Sequence, residues 1–260
     1  MPASVLTVVT RDAVPRRSQR FTRRQSMKLS LSARASLAAL AMVAVGATAC
    51  SDDSTSPEQN AQLRFVHAAA GVDAVNFRVD DVDIRTDAAY GDEVSAYGNI
   101  AAGERDIAAR LADGDDDLAI ATEDLESSGQ YTAVLVNGID SQGLEVFADT
   151  NTAAAEGKAR LRIINAAQIA GAVDVYVTDT DADLGEAEPT LTEVAMPAAS
   201  KYVEVSSGEQ RIRFTTAGTK DVVLDIESID LPDAGVRTVL LIEADEGGTP
   251  LQSIVSEDRG

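Results

Sequence analysis

One group of acidic side chains in this chain is spaced like the ligands of a metal ion. Asp179, Asp181 and Asp183 occupy alternate positions, as do the first three carboxylates of a calcium-binding loop. The match stops there, because Leu184 stands where such a loop needs Gly and Thr190 stands where it needs a bidentate Glu. The three aspartates are therefore weak candidates for Ca²⁺ binding at millimolar strength, and a solvated hairpin loop is the default interpretation.

A second acidic turn and the acid-rich composition leave carboxylate chemistry open. That turn contains Asp113, Asp115, Asp116 and Asp117. A pair of carboxylates can hydrolyse a glycosidic bond, but the spacing alone selects no pair among the 43 acidic residues. The sequence also lacks a Gly-rich phosphate loop. We predict no catalytic residue and no cofactor-binding residue from these patterns.

His67 is the only histidine, and its sequence context indicates a structural role. It lies at the end of a predicted strand, and the matching residue of a second, similar segment is Asn165. Both side chains can hydrogen-bond a turn backbone, so we interpret His67 as a polar cap. A Ser-His-Asp triad would have to use this residue, and no Gly-x-Ser-x-Gly motif is present. One His and one Cys cannot supply a zinc ligand set.

Cys50 is the only cysteine and follows a segment typical of an export signal. The run 36–49 is apolar and uncharged, and its length of about 14 residues suits a signal peptide better than a membrane span. We predict that Cys50 is lipidated and that the lipid holds the protein at a membrane. Cleavage after Ala49 by an ordinary signal peptidase is the alternative. Ser51 resembles the residue that directs lipoproteins to the outer membrane, which is the predicted location.

The predicted leader changes the charge balance of the rest of the chain. Residues 1–49 are predicted to form the leader and signal peptide, with Met27 as an alternative start. They contain eight Arg and Lys residues and one acid, so the remainder has 14 basic and 42 acidic residues and a net charge of −28. Such a surface repels phosphate backbones, which argues against nucleic acid as a partner. Residues 50–60 are polar and predict a flexible tether.

The rest of the chain repeats itself with a period of about 100 residues. Matched blocks pair Leu63–Asp80 with Leu161–Asp179, Ser95–Gly103 with Ser200–Gly208, and 131–136 with 237–242. A further match joins the segments that end at Asp149 and Asp258. This period is domain-sized rather than solenoid-sized. We therefore predict two repeats, 61–150 and 159–260, joined by the short linker 150–157.

Each repeat is predicted to be an all-β sandwich. Alternating apolar residues in 222–227 indicate a half-buried strand, and the continuous apolar runs 131–136 and 239–242 indicate strands buried on both faces. Turn signals recur every 8 to 12 residues in the first repeat. This pattern is typical of a β-sandwich with about seven strands.

The repeated blocks resemble a bacterial family of exported proteins, the domain-of-unknown-function family 4397. The resemblance rests on the R-x-x-H-A opening at Arg64–Ala68, on the VDVYVT strand 173–178, and on the Ser-x-Tyr segment that begins at Ser200. Ala69-Ala70-Gly71 departs from the turn that is common in the family, and Asn165 replaces the His in the second repeat. The resemblance implies two tandem immunoglobulin-like sandwiches and supplies no activity or catalytic residue.

These observations favour a non-enzymatic lipoprotein of the cell envelope that binds an unknown envelope or extracellular ligand, or has a structural role. A carboxylate-based hydrolase on a sandwich scaffold and a weakly calcium-dependent adhesion module are the alternatives. An aromatic ligand groove would draw on the tyrosines Tyr90, Tyr97, Tyr176 and Tyr202. Because Tyr97 and Tyr202 occupy matched places in the repeats, we expect these two to be buried core residues.

Overall fold

The structure, a computed structural model, describes residues 59–139 and 141–259. These residues form seventeen β-strands and one short 3-10 helix, Gln168–Ala170, which confirms the predicted all-β class. None of them belongs to a helix that is long and apolar enough to cross a membrane. The predicted leader, Cys50 and most of the tether lie outside the described residues.

The first repeat contains two four-stranded sheets. Outer sheet 1 has the order β3-β2-β5-β6, with the bounds Val82–Ala88, Val75–Val79, Gly103–Leu111 and Asp117–Leu125. Inner sheet 1 has the order β4-β1-β7-β8, with the bounds Gly98–Ala101, Asn60–Ala68, Gln130–Asn137 and Gln142–Asp149. All neighbouring strands are antiparallel except β1 and β7, which are parallel.

The second repeat has the same arrangement. Outer sheet 2 has the order β11-β10-β14-β15, with the bounds Leu191–Val194, Val173–Thr178, Gly208–Thr216 and Val222–Leu231. Inner sheet 2 has the order β12-β9-β16-β17, with the bounds Ala198–Ala199, Lys158–Asn165, Val236–Ile242 and Gln252–Arg259. Strand β13, Val203–Ser206, also pairs with β9, and β9 is parallel to β16.

The repeats thus contain eight and nine strands, more than the seven that the turn spacing predicts. The additional strands are short segments that pair with the first strand of each repeat. In the second repeat this edge is divided into β12 and β13 by the residues 200–202. Such brief pairings carry too few alternating residues to be recognised from the sequence.

Each repeat buries its own apolar core between its outer and inner sheets. In the first repeat, Leu63 and Phe65 of β1 point into this core, and the Phe65 ring stacks on Phe77 with centroids 4.9 Å apart. In the second repeat, Leu161 and Ile163 of β9 take the corresponding places. Residues two apart on a strand share a face, so the residues between them point away from this core.

A third apolar core lies between the two inner sheets. It contains the residues of β1, β7, β9, β16 and β17 that face away from the sandwich interiors, together with Ala166 just after β9: Val66, Ala68, Val134, Val136, Ile164, Ala166, Leu240, Ile242 and Ile254. Residues 59–139 and 141–259 accordingly belong to one compact unit. The two sequence repeats are halves of a four-layered body, and we call the contact between the inner sheets the inter-repeat interface.

The linker that the sequence predicts at 150–157 falls between β8 and β9. Its backbone and side chains are hydrogen-bonded to both repeats. Asn151 donates to Gln130 Oε1 over 3.0 Å, and the Gly157 amide donates to Asp233 Oδ1 over 2.6 Å. The linker is therefore a part of the folded unit. The repeat limits 61–150 and 159–260 stay a prediction for where independent domains begin and end.

Candidate binding site at the inter-repeat interface

A buried ionic network joins the two repeats. Arg64 on β1 points away from the core of its own sandwich because Leu63 and Phe65 point into it. Its Nη2 lies 2.8 Å from Asp258 Oδ1 of the second repeat, and its Nε donates to Thr132 Oγ1 over 2.8 Å. Both side chains of the ion pair are at most 3% exposed. The pair is therefore removed from water and connects strands 194 positions apart in the sequence.

An equivalent ion pair joins an arginine of the second repeat to an aspartate of the first. Arg162 on β9 places Nη2 at 2.6 Å from Asp149 Oδ1, and its Nε donates to Thr238 Oγ1 over 3.3 Å. Each threonine then donates to the aspartate of its own repeat, Thr132 to Asp149 over 2.6 Å and Thr238 to Asp258 over 2.5 Å. Every carboxylate thus receives a charged partner from one repeat and a hydroxyl from the other.

The charges in this network balance each other. Burial alone disfavours the charged form of Arg64, but the carboxylates of Asp258 and Asp149 outweigh it and raise the pKa of the guanidinium. Arg64 Nη1 also donates to Ser256 Oγ over 2.7 Å. A buried ion pair with this many hydrogen bonds offsets much of its desolvation cost, and loss of one partner leaves the other charge uncompensated.

A tyrosine covers each of the two buried arginines. The Arg64 guanidinium carbon lies 4.6 Å from the centroid of the Tyr97 ring, and that of Arg162 lies 4.8 Å from the Tyr202 ring. Tyr97 OH donates to Asp149 Oδ2 over 2.6 Å. Both rings are half-buried, so the expectation that they are core residues was wrong. They lie at the edge of the interface, where they shield the ion pairs from water.

The serine of each Ser-x-Tyr motif fixes its tyrosine in place. Ser95 Oγ accepts from the Phe65 amide over 2.9 Å, and Ser200 Oγ accepts from the Ile163 amide over 3.0 Å. The Ser95 amide in turn donates to the Phe65 carbonyl, and that of Ser200 donates to the Ile163 carbonyl. The loop before each edge strand is thereby fastened to β1 or β9, with the tyrosine two positions further on.

Two clefts open beside the tyrosines, each made from both repeats. The Tyr97 cleft, about 750 Å³, lies between residues 93–97 of the first repeat and 255–258 of the second, over Arg64. The Tyr202 cleft, about 510 Å³, lies between residues 199–202 of the second repeat and 146–150 of the first, over Arg162. Both volumes are in the range of small-ligand sites. We treat these clefts as the candidate binding sites.

His67 and Asn165 have the turn-capping role that the sequence predicts. The His67 ring is buried and hydrogen-bonds with Nε2 to the carbonyl oxygens of Val72 and Asp73 over 3.1 and 3.2 Å. Its Nδ1 accepts from the Ala69 amide over 3.3 Å. Burial lowers the pKa of the imidazole, which favours the neutral form with a proton on Nε2. Both ring nitrogens are used by the backbone and neither is available as a base.

Asn165 reproduces this pattern in the second repeat. Its Nδ2 donates to the carbonyl oxygens of Gly171 and Val194 over 2.7 and 3.0 Å, and its Oδ1 accepts from the Ala167 amide over 3.2 Å. An amide and an imidazole offer a donor and an acceptor in similar positions. Each of the two residues therefore caps the turn after the first strand of its repeat, and Asn165 also bonds the carbonyl of Val194 on β11.

The acidic loops lie apart from the clefts. Asp179, Asp181 and Asp183 are exposed in the connection between β10 and β11, and Asp183 Oδ1 accepts from the Gly185 amide over 2.8 Å. Within residues 59–139 and 141–259, no three acidic, His or Cys side chains are grouped as metal ligands. Asp117 begins β6 after a hairpin loop and pairs with Arg78 at 3.1 Å, in the solvated hairpin that the default interpretation expects.

The other two tyrosines have separate roles. Tyr90 is half-buried at the inter-repeat interface, and its hydroxyl donates to the Glu243 carbonyl over 2.8 Å. Tyr176 is buried in outer sheet 2, and Lys220 Nζ lies 4.3 Å from its ring centroid. The four tyrosines therefore do not line one groove. Tyr97 and Tyr202 line one cleft each, and the remaining two stabilise loops and sheet surfaces.

Sequence reasoning missed the ionic network, although every member lies in a repeated block. Arg64 and Arg162, Thr132 and Thr238, and Asp149 and Asp258 are pairs of equivalent positions. A charged residue repeated inside an otherwise apolar strand is the signal that could have revealed a buried role. The partners cross from one repeat to the other, and this crossing has no signature within a single repeat.

The first repeat and the start of the second match a known family model, DUF4397, described as a domain of unknown function, over residues 61–176. The matched region includes Arg64, His67, the Ser95-x-Tyr97 motif, Thr132, Asp149 and Arg162. Residues 61–176 belong to the DUF4397 family. The predicted family resemblance is thus confirmed, and the interface network described above is built largely from DUF4397 residues. No curated protein matches the chain.

Solved structures share only a distant likeness with this DUF4397 protein. A product complex of the multi-modular glycogen-degrading pneumococcal virulence factor SpuA matches 75% of the chain at 10% identity with a TM-score of 0.26. The chain spans only 22% of that protein. A streptococcal virulence factor solved in a study of α-glucan binding matches 73% of the chain and is itself 97% covered, with 10% identity and a TM-score of 0.26.

A candidate adhesin from Bacteroides ovatus is the third of these structures. It matches 76% of the chain and is 93% covered, with 10% identity and a TM-score of 0.22. Scores of this size carry no conclusion about function. The description of the DUF4397 fold therefore rests on the sheets and their pairing given above.

Proposed function

We propose that this DUF4397 protein is a non-enzymatic binding or adhesion module of the cell envelope, and that its ligand sites are the clefts at the inter-repeat interface. The observation that carries the proposal is the composition of these clefts. Each has one wall from each repeat, and the buried pairs Arg64–Asp258 and Arg162–Asp149 hold the walls together. Rigid, preformed clefts reduce the entropy that a ligand must lose on binding.

The role of the buried charges supports binding rather than catalysis. Arg64, Arg162, Asp149 and Asp258 are the buried ionic groups beneath the clefts, and each is engaged by a partner of opposite charge. A catalytic acid or base must reach a substrate to exchange a proton with it, whereas these four groups face one another beneath the cleft walls. We therefore propose that these residues position the cleft walls.

Membrane attachment through Cys50 completes the proposal. Lipid on Cys50 would hold the compact unit, whose first described residue is Gln59, close to the membrane surface. We propose an outer-membrane location on the strength of Ser51 and the signal-like segment. The ligand would then be an envelope or extracellular molecule.

The test is a binding screen on residues 51–260, which contain every residue that the structure describes. Glycan and peptide arrays would be probed with this protein, and the same preparation would be incubated with glycoside, ester and peptide substrates. We expect retention of a defined ligand class without turnover. Substitution of Tyr97 or Tyr202 by Ala should weaken that binding. Turnover of any substrate class that disappears on substitution of cleft residues would overturn the proposal.

A further inference from the structure

The Tyr202 cleft is basic, although the protein as a whole is strongly acidic. Arg160, Arg162 and Lys201 line it, and no Asp or Glu does. Arg162 is neutralised by Asp149 at 2.6 Å. Arg160 and Lys201 remain, one half-buried and the other exposed. Two neighbouring cations at the mouth of one cleft are unusual in a chain whose acidic residues outnumber its basic ones by about two to one.

Neither of these cations has an acidic partner in the part of the chain that the structure describes. No carboxylate there lies within 4 Å of Arg160 or Lys201. Arg160 Nη1 donates to the Thr152 carbonyl over 3.2 Å, and its guanidinium carbon lies 5.1 Å from the Tyr202 centroid. Glu204 is directly opposite Arg160 in the sheet, but its Oε1 accepts from the Ala155 amide. The guanidinium and the ammonium therefore keep donors for a ligand.

The Tyr97 cleft shows that the frame of each cleft, its buried arginine, threonine and aspartate with the covering tyrosine, forms without these cations. By the repeat alignment, Gln62 and Ala96 stand at the positions of Arg160 and Lys201. The same frame of arginine, threonine, aspartate and tyrosine is formed there. The rim of the Tyr97 cleft instead includes Glu93 and Glu257. The two clefts thus share their structural residues and differ in the charge of their rims, which indicates that the rim charges select ligands.

Aromatic surface accompanies the positive charge of the Tyr202 cleft. Phe147 and Tyr202 are both half-buried and both line it. In the Tyr97 cleft, Ser256 takes the place of Phe147. Aromatic side chains bury the apolar face of a ring-shaped ligand, and Arg and Lys donate charge-assisted hydrogen bonds to a carboxylate. The cleft therefore combines one surface for a ring with two donors for an anion.

We infer that the Tyr202 cleft binds the acidic sugar units of a carboxylate-bearing polysaccharide. The carboxylate would lie between Arg160 and Lys201, and the sugar ring would lie against Phe147 and Tyr202. A cleft of about 510 Å³ accommodates one or two such rings. The inference rests on the proposed binding role and specifies its ligand class.

Two other anionic partners fit less well. Nucleic acid is bound mainly through its phosphate backbone, which needs a series of cations along its path, and this cleft offers only the pair Arg160 and Lys201. An acidic peptide loses more conformational freedom on binding than a sugar ring, because each of its residues is flexible. A polysaccharide of uronic acids brings one carboxylate per rigid ring, which matches one pair of cations beside two aromatic side chains.

The test is a calorimetric titration of residues 51–260 with a galacturonate tetramer, with its methyl ester as the matched neutral ligand. The double variant Arg160→Gln/Lys201→Ala introduces the residues that the first repeat carries at these positions, so we expect it to fold. Loss of the charge-assisted hydrogen bonds should weaken binding of the tetramer by at least about tenfold. The methyl ester should bind the unchanged protein about as weakly as the tetramer binds the double variant. Added NaCl should weaken binding of the tetramer, as expected for exposed charges.

Arg211→Gln is the control variant. It removes one positive charge, where the double variant removes two, from outer sheet 2, in which Arg211 pairs with Asp225 away from the clefts, and it should change the affinity by less than about twofold. Thermal unfolding of all variants would verify that they are folded.

The possible outcomes separate the inference from the proposed function. Equal affinity for the tetramer and its ester, with no effect of the double variant, would overturn the acidic-sugar inference and leave the binding role standing. Binding of a poly-glutamate peptide in place of the tetramer, lost in the double variant, would also overturn it. Failure of every glycan and peptide on the arrays to bind would overturn both. The inference would be supported if the double variant and esterification of the tetramer both weaken binding, and Arg211→Gln does not.

Discussion

Arg64 of the first repeat lies 2.8 Å from Asp258 of the second, and both side chains are almost fully buried. Arg162 and Asp149 form the reciprocal pair at 2.6 Å. These contacts are placed where the two inner sheets meet, next to an apolar core that both repeats build. The pairs specify how the sheets align, because a shift along the strands would leave two charges buried without partners.

Asp258→Asn should destabilise the whole compact unit, because Arg64 would lose its closest carboxylate. Removal of one partner of a buried ion pair costs about 3–5 kcal/mol of the free energy of unfolding. Urea denaturation followed by circular dichroism would measure the change. Asp225→Asn is the control, since Asp225 belongs to a more exposed pair with Arg211, and it should have a much smaller effect. Equal losses in the two variants would contradict the role assigned to the network.

His67 should make stability depend on pH below neutrality. Burial lowers the pKa of His67 in the folded state, so the unfolded chain binds a proton first as the pH falls. The contribution of His67 is therefore complete above its unfolded pKa of about 6.5 and declines as the pH falls from there towards the folded value. The free energy of unfolding should fall from pH 7.5 to pH 5.5.

His67→Asn gives the residue that the second repeat uses as its cap, and this variant should lose less stability over the same pH interval. Because carboxylates titrate in both proteins, the informative quantity is the difference between them, measured by urea denaturation at each pH. An identical pH dependence in the two proteins would show that His67 is not the group responsible.

Three tyrosines should titrate late in alkaline solution. Burial raises the pKa of Tyr97 and Tyr202, and burial together with Glu243 raises the pKa of Tyr90 to about 12. The unfolded chain loses these protons first, so stability is complete below about pH 10 and declines as the pH rises above it. Absorbance at 295 nm would follow the ionisation, and Tyr97→Phe should remove one late-titrating group. Titration of all tyrosines near pH 10 in the folded protein would refute this prediction.

Cys50→Ala should release the protein from the membrane without unfolding it. Cys50 precedes the first strand, Asn60–Ala68, by ten positions, so the substitution changes the attachment and leaves the sheets intact. Fractionation of cells would locate the variant, and circular dichroism would verify its strands. Mass spectrometry of the membrane fraction of the unchanged protein should find a lipid on Cys50. An unmodified Cys50 there would be incompatible with lipid anchoring.

Local patterns in the sequence predicted the strands well. The runs 133–136 and 239–242 are apolar at every position, which correctly indicated strands buried on both faces. His67 and Asn165 were correctly assigned as turn caps because equivalent places in a repeat need equivalent hydrogen bonds.

The interface between the repeats could not be predicted from those patterns. A strand buried on both faces requires a second sheet above it, but the sequence does not state which sheet provides the cover. Tyr97 was expected in a sandwich core, whereas it lies over Arg64 at the interface edge. Its position depends on Asp149 and on the fold of the whole first repeat, and such long-range relationships have no local periodicity.

The reciprocal pairs have the form of an isologous contact, in which the first residue of one unit meets the second residue of the other and the reverse also holds. In this chain the two units are covalently joined, so the arrangement corresponds to a twofold homodimer fused into one polypeptide. A single repeat produced alone would have one arginine and one aspartate of this interface, and these could pair with the aspartate and the arginine of a second copy. We expect such a fragment to form dimers. In a homodimer the two clefts at the interface would be identical, whereas the fused chain has two different repeats and therefore two different clefts.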